Sequence, residues 1–231
     1  MVIWNMGKKF CYFYRRGKET RQQVVGDKKL VISLTSFPAR IARVHIVIRR
    51  LLKNKIQPDK VILNLAISQF PNQLGDLPRK LVELTAIQQY SNTAIQSKLE
   101  IRFVEKDTRQ FKKFIPTLHE YPDDFIIIVD DDALYRRNLI SKLLARAALY
   151  PNTIIAGRAR YVKMDREGNL KPYKKWWSYT IFANWMKRGS KPRYRNMAIG
   201  LGGVLYPPNV LHPDILSEEI YEKIRSAAAQ S

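Results

Sequence analysis

At 231 residues and 45% hydrophobic composition the chain can bury a full core, which excludes a disordered or fibrous protein and leaves one large domain or two small ones. Its 41 Lys and Arg against 20 Asp and Glu give a formal net charge of +21, a balance that seeks an anionic partner and suits nucleic acid, an anionic membrane face or a phosphorylated substrate alike. Cys11 is the sole cysteine, so no intrachain disulfide can form, and no run approaches the roughly eighteen apolar residues of a membrane span.

Residues 1–28 read as a basic, aromatic extension. Eight Lys and Arg fall within Met1–Lys29 against Glu19 and Asp27, interleaved with Trp4, Phe10, Tyr12, Phe13 and Tyr14. Rings among cations suit an anionic bilayer interface, and equally an extension packed on the domain with a solvated basic face. Lys8 and Lys9 interrupt any apolar stretch of signal-peptide length, so the expectation is a cytoplasmic protein, peripheral at the inner face of the cell membrane.

Residues 29–150 alternate strand and helix patterns. LVISLTSF, Leu30–Phe37, is a β-branched apolar run closed by Pro38, and Arg43–Asn54 places Val44, Val47, Ile48, Leu51 and Leu52 on one helical face. Further strands are expected at Val61–Ala66, Leu99–Glu105 and Asp124–Asp132, with helices at Pro78–Ser91, Phe111–Tyr121 and Arg137–Tyr150. Strands separated by helices predict an α/β fold, a mostly parallel sheet flanked by helices. Ligands of such sheets gather outside the carboxyl ends of the strands, where the polar clusters TSFPAR, EKDTR and DDD fall.

Residues 151–231 change texture and read as a second half of the same domain. Arg158–Arg195 holds twelve Lys and Arg against Asp165 and Glu167, together with Trp176, Trp177 and Trp185, and GLGGVLYPP follows at Gly200–Pro208. Sugar rings present apolar faces to aromatic rings, which makes Trp176, Trp177 and Trp185 candidates to hold an acceptor; single Trp residues are also common partial core. Adjacent Trp176 and Trp177 diverge, so one of them at most faces a site.

The triplet Asp130, Asp131 and Asp132 ends the most apolar run in the chain. Adjacent carboxylates repel, most of all beside a buried strand, so a cation is expected there. In extended geometry Asp130 and Asp132 point one way and Asp131 the other. Two hard oxygen donors on one side suit Mg²⁺ or Mn²⁺, which complete their shells with water and substrate phosphates. The competing reading has the three acids capping the next helix or pairing with Arg136, Arg137 and other surface cations of the chain.

Four segments in order, LVISLTSFPARI, PDKVILNLAISQFP, FKKFIPTLHEYPDDFIIIVDDDALY and GLGGVLYPPNVLHPD, resemble bacterial GT-A-fold glycosyltransferases of surface-polysaccharide assembly over about Lys29–Asp214. The resemblance implies a GT-A-like fold, a nucleotide-sugar donor, and a glycan or lipid-linked acceptor. It gives the triplet the DxD role, with Asp130 near ribose and metal, Asp132 the direct ligand of Mn²⁺ or Mg²⁺, and Asp131 either a support behind the metal ligands or a sugar contact. Thr35, Ser36 and Arg40 would hold the nucleotide, Asp107 would read base or ribose, and Lys112 and Lys113 would meet phosphate or else stand as the solvated start of a helix. On the acceptor side stand Trp176, Trp177, Trp185, Gly202 and Gly203.

The pattern departs from the resemblance at the base. Family members continue past the GGVLYPP loop into a segment with a carboxylate pair followed by an aromatic, whereas this chain runs SEEIYEKIRSAAAQS. Either the chain continues further, or the base comes from elsewhere, or activity is impaired; Asp214, Glu218 and Glu219 are the nearest substitutes. Rival functions are a basic nucleic-acid-binding protein, disfavoured because no zinc-finger spacing or RNP-like motif is present, a phosphotransferase using the triplet as nucleophile and acid, and a catalytically impaired scaffold of the same fold.

Overall fold

The computed structural model describes residues 16–86, 98–180, 192–217, 219–220, 222–223 and 226. Cys11 and Trp185 therefore lie outside the described residues, as do Glu218 and most of the N-terminal extension. The chain order is α1 (Gly17–Val25), β1 (Leu30–Thr35), α2 (Pro38–Leu52), β2 (Lys60–Ala66), α3 (Arg79–Ala86), β3 (Leu99–Val104), α4 (Ile115–Glu120), β4 (Phe125–Ile128) and α5 (Leu139–Ala147). Short strands follow: β5 (Ile155–Ala156), β6 (Arg158–Tyr161), β7 (Trp177–Thr180), β8 (Asn196–Ala198) and β9 (Val204–Tyr206).

The main sheet runs β3-β2-β1-β4-β9-β5. The pairs β1/β2, β1/β4 and β2/β3 are parallel, and β9 lies antiparallel to both β4 and β5. This is the α/β, mostly parallel architecture expected from the alternating pattern. Alternation along β1 divides the core: Leu30, Ile32 and Leu34 join residues of α1, α2, α3 and α5 on one face, while Val31 joins Ile62, Tyr121, Ile126 and Ile128 on the other, beneath α4. On that second face a buried polar knot pins α4 to the sheet. Ser33 Oγ lies 2.8 Å from Thr117 Oγ1, and Asn64 Nδ2 donates to both at 3.1 and 3.2 Å.

Element ends differ from the periodicity at prolines and at charge. The helix expected from Arg43 begins at Pro38, because the residue that closes β1 also suits a first helical turn, where its missing N–H costs nothing. The helix expected over Phe111–Tyr121 divides into a 3₁₀ turn at Arg109–Lys113 and α4, with Pro116 in the first turn of α4. Strand β4 stops at Ile128, four residues short of the expected end. Val129 N still reaches Ser33 O at 3.1 Å, and the aspartates then leave the ladder in a turn.

Strand β3 bounds one edge of the described sheet. Glu100 accepts from Lys60 at 2.8 Å and from Arg102 at 2.5 Å, and Arg102 also reaches Glu120 at 2.7 Å. Toward the other edge, β6, β7 and β8 form a separate three-stranded antiparallel sheet in the order β7-β6-β8. Its junction with the main sheet needs glycine: a Cβ on Gly157 would stand 2.0 Å from Gly202 O, and Gly203 has φ +74°.

Candidate active-site cleft

The polar segments after β1, β3 and β4 converge on one open cleft of about 700 Å³. Its wall includes Thr35, Ser36 and Arg40 after β1, Asp107, Lys112 and Lys113 after β3, and Asp130, Asp131 and Asp132 after β4. All nine donor-side and metal candidates from the sequence are thus brought together, as expected of strand carboxyl ends in an open α/β sheet. Phe37, Gln69, Arg109 and Gln110 complete the wall and were not singled out by sequence. Only Arg109 carries a local peculiarity, a left-handed backbone at φ +50°, which no side-chain pattern announces.

The three aspartates do not alternate as a strand would dictate, because the backbone has already turned. Asp131 is the most enclosed, with 8% side-chain exposure: it accepts from Ser36 Oγ at 2.7 Å and from Arg40 Nη1 at 3.1 Å. The same Arg40 nitrogen stands 2.8 Å from Asp132 Oδ2, so Asp131 and Asp132 share one guanidinium. Asp130 Oδ1 takes Lys113 Nζ at 2.5 Å. The cations that answer the triplet are therefore Arg40 and Lys113, so in this structure the three acids pair with other cations of the chain, as the competing reading allowed. Arg40 is held above its ordinary pKa first by the hydrogen bond to Asp131 and then by the charge of Asp132.

Tyr135 fixes where the triplet begins. Its hydroxyl accepts from Asp130 N at 2.8 Å and donates to Gly200 O at 3.2 Å, and burial pushes its phenol pKa up. A Cβ at Gly200 would fall 2.7 Å from Asp130 Oδ1, so the loop from the second half of the chain closes directly on the first aspartate.

Asp107 is engaged on both oxygens. Oδ2 accepts from Gln69 Nε2 at 2.9 Å, while Oδ1 accepts from Arg109 N at 2.9 Å and from Lys112 Nζ. Burial pushes its carboxyl up, but the hydrogen bonds from Lys112 and the Arg109 amide outweigh that and leave it below the usual carboxylate range. Thr35 Oγ1 donates back to Asn64 O at 2.7 Å. Lys112 is buried behind Asp107, whereas Arg109 is exposed at the rim.

The acceptor and base candidates are placed elsewhere. Trp176 packs its ring 5.3 Å from that of Tyr173, donates from Nε1 to Lys171 O at 2.7 Å, and does not line the cleft. Trp177 lies in β7, where only its backbone is described; Trp185 is outside the described residues. Gly202 and Gly203 serve the tight junction with β6 and α5 and do not line the cleft. Asp214 sits 3.3 Å from His212 Nδ1, Glu219 pairs with Lys223 at 2.6 Å, and neither lines the cleft. Glu218 falls outside the described residues.

Among the described residues no group of three or more His, Cys, Asp and Glu side chains is arranged as a metal cage. The donor chemistry at the triplet still fits a hard dication that brings part of its own shell. Asp130 and Asp132 offer carboxylate oxygens on the cleft wall, and Asp132 keeps 49% side-chain exposure. Mg²⁺ and Mn²⁺ commonly take one or two carboxylates and fill the remaining positions with water and phosphate.

No family model matches the chain, and no curated protein matches it. Among solved structures it is similar to the mannosyltransferase PcManGT from Pyrobaculum calidifontis, described in complex with GDP-Man and Mn²⁺, at 13% identity and a TM-score of 0.38. That match covers 69% of this chain and 45% of the mannosyltransferase, so the chain spans under half of that protein's length. It is also similar to 4-diphosphocytidyl-2C-methyl-D-erythritol synthase from Anaerococcus prevotii, at 13% identity and a TM-score of 0.43, over 86% of this chain and 76% of that one.

Proposed function

We propose that the protein is a metal-dependent glycosyltransferase of the hexosyl type, moving a sugar from a nucleotide-sugar donor to a glycan or lipid-linked glycan in bacterial surface-polysaccharide synthesis. The location that goes with this reading is the cytoplasmic face of the membrane. One observation carries it: an aspartate triplet at the carboxyl end of β4 shares a cleft with Arg40, Arg109 and Lys113, so acidic and basic groups face the same space. A diphosphate with a dication satisfies both signs together, whereas a simple anion or a simple cation satisfies one and strands the other.

In the proposed reaction the bond from the anomeric carbon to a diphosphate oxygen breaks, with its electron pair leaving on that oxygen. A bond to the acceptor hydroxyl oxygen forms, and the hydroxyl proton passes to a base. Arg40 and Lys113 would turn from the aspartates to the phosphates, where positive charge favours the departing group more as its charge grows. Asp130 and Asp132 would hold Mn²⁺ or Mg²⁺, which when bound supplies further charge neutralisation at the diphosphate. Ser36 keeps Asp131 as a strut between the β1 and β4 loops when Arg40 turns away.

A second reading, a nucleotide-sugar-binding scaffold without transfer, draws on the cleft wall itself, whose carboxylates among the described residues are Asp107 and the triplet. Calorimetric titration with UDP- and GDP-sugars, with and without Mn²⁺, tests both. Metal-dependent binding that Asp132→Ala weakens at least tenfold is the expected result. Binding indifferent to both metal and that substitution removes the proposal, and binding with neither sugar transfer nor donor hydrolysis leaves the scaffold.

A further inference from the structure

We propose that the far end of the β7-β6-β8 sheet is a tip that seats on an anionic lipid bilayer. Past Tyr161 the strands continue as single contacts: Val162 N donates to Arg195 O at 2.8 Å, Lys171 N donates to Lys163 O at 2.9 Å, and Met164 bridges Leu170. These contacts gather the Lys163, Lys171 and Arg195 positions at one end of the sheet, with Arg193 and Tyr194 on one flank and Leu170 on the other.

The tip has both signatures of a bilayer surface. Across the described residues 161–176 and 192–195 there are seven Lys and Arg against Asp165 and Glu167, and Lys171, Lys174, Lys175, Arg193 and Arg195 are exposed. Among them Tyr194 is fully exposed, Leu170 is 63% exposed and Tyr173 is 50% exposed. One such side chain on a surface is ordinary. Three within one cationic tip match an interface in which cations meet anionic headgroups while apolar groups enter the acyl boundary. A nucleic-acid backbone would use the same cations but offers nothing to Leu170.

The opposite end of the same strands abuts the cleft. Ile199 N donates to Arg158 O at 2.9 Å, and Gly200 lies against Asp130. Arg158 and Met164 are six positions apart, at most about 20 Å at the rise of an extended chain. A seated tip would therefore hold the cleft within roughly that distance of the headgroups, in reach of a lipid-linked acceptor.

Co-sedimentation of the full chain with vesicles tests the inference. The expected result is binding to mixed phosphatidylglycerol and phosphatidylcholine vesicles, and little to phosphatidylcholine alone. The pair Arg193→Glu and Arg195→Glu weakens that binding about tenfold or more, given the contribution of each cation near an anionic surface. Arg79→Glu with Lys80→Glu, an equal charge change on exposed residues of α3, leaves it within about threefold on the same reasoning. Leu170→Ser with Tyr194→Ser weakens vesicle binding several-fold without touching charge. Equal losses from the two charge pairs, indifference to lipid charge, or loss of oligonucleotide and vesicle binding together while Leu170→Ser and Tyr194→Ser change nothing would each overturn it. None of the substituted positions lines the cleft, so a chain that binds vesicles but no nucleotide sugar fails the function proposed above and leaves this inference standing.

Discussion

The backbone N–H of Asp130 donates to the phenolic oxygen of Tyr135 at 2.8 Å, five residues on, and the same hydroxyl donates to Gly200 O at 3.2 Å. One buried side chain thus joins the start of the aspartate turn to the loop from the other half of the chain. Replacing Tyr135 by Phe removes the partner of both groups. A buried donor left unpaired costs about 1–3 kcal/mol. Denaturant unfolding should show a loss of that size, with the dependence on denaturant concentration unchanged.

Gly200→Ala addresses the same contact from the opposite side. The new Cβ would lie 2.7 Å from Asp130 Oδ1, the free end of a side chain that can rotate away. Stability should fall by about 1 kcal/mol or less, the low end of overpacking costs. Mn²⁺-dependent donor binding should fall much further, because the carboxylate leaves its place; calorimetry beside thermal melting separates the two effects.

Arg40→Met frees Asp131 and Asp132 from the guanidinium they share. Free Mn²⁺, followed by electron paramagnetic resonance in the absence of nucleotide, should bind more tightly than to the unaltered protein. Nucleoside diphosphate without metal should bind less tightly, since a phosphate partner has gone. Opposite movement of the two affinities is the expected signature of a cation that serves both.

Acid should weaken the cleft floor through Asp107. Its folded pKa lies below the unfolded carboxylate value near 3.9, so its contribution to stability is fully present above that value and is lost as pH falls through the folded one. Glu100 is depressed in the same direction by its hydrogen bonds from Arg102 and Lys60, against an opposing push from burial. Unfolding followed below about pH 4 should therefore show a steeper acid limb for the unaltered chain than for Asp107→Asn.

Strand and helix alternation was legible because β4 is a continuous apolar run and β1 and β2 are apolar runs broken inside by Ser33 and Asn64 alone, as a doubly covered sheet requires. The positions of Ser36, Arg40, Lys113 and the triplet followed from the rule that polar clusters gather at strand carboxyl ends. What stayed hidden was set by contacts distant in sequence. The backbone turns after Ile128, with Tyr135 taking Asp130 N, so alternation could not predict that Asp131 and Asp132 share Arg40. Arg109 enters the cleft wall from a left-handed backbone held by Asp107, and Gln69 arrives from the end of β2 with no charge to mark it. The short strands after Pro151 escaped because Arg158–Tyr161, RARY, alternates over four residues only and carries charge at every second one; pairing between β7 and β8 makes it a strand.

The ionic fence along β3 bears on how copies of the chain can meet. Outermost among the described strands, β3 carries Glu100 and Arg102 itself and has Lys60 and Glu120 beside it, which makes it a poor template for a newcomer's backbone, since docking there would strip water from several charges at once. Ribbon-like stacking of one molecule's sheet onto the next is thereby disfavoured at that border, and self-association, where it occurs, is directed to other surfaces.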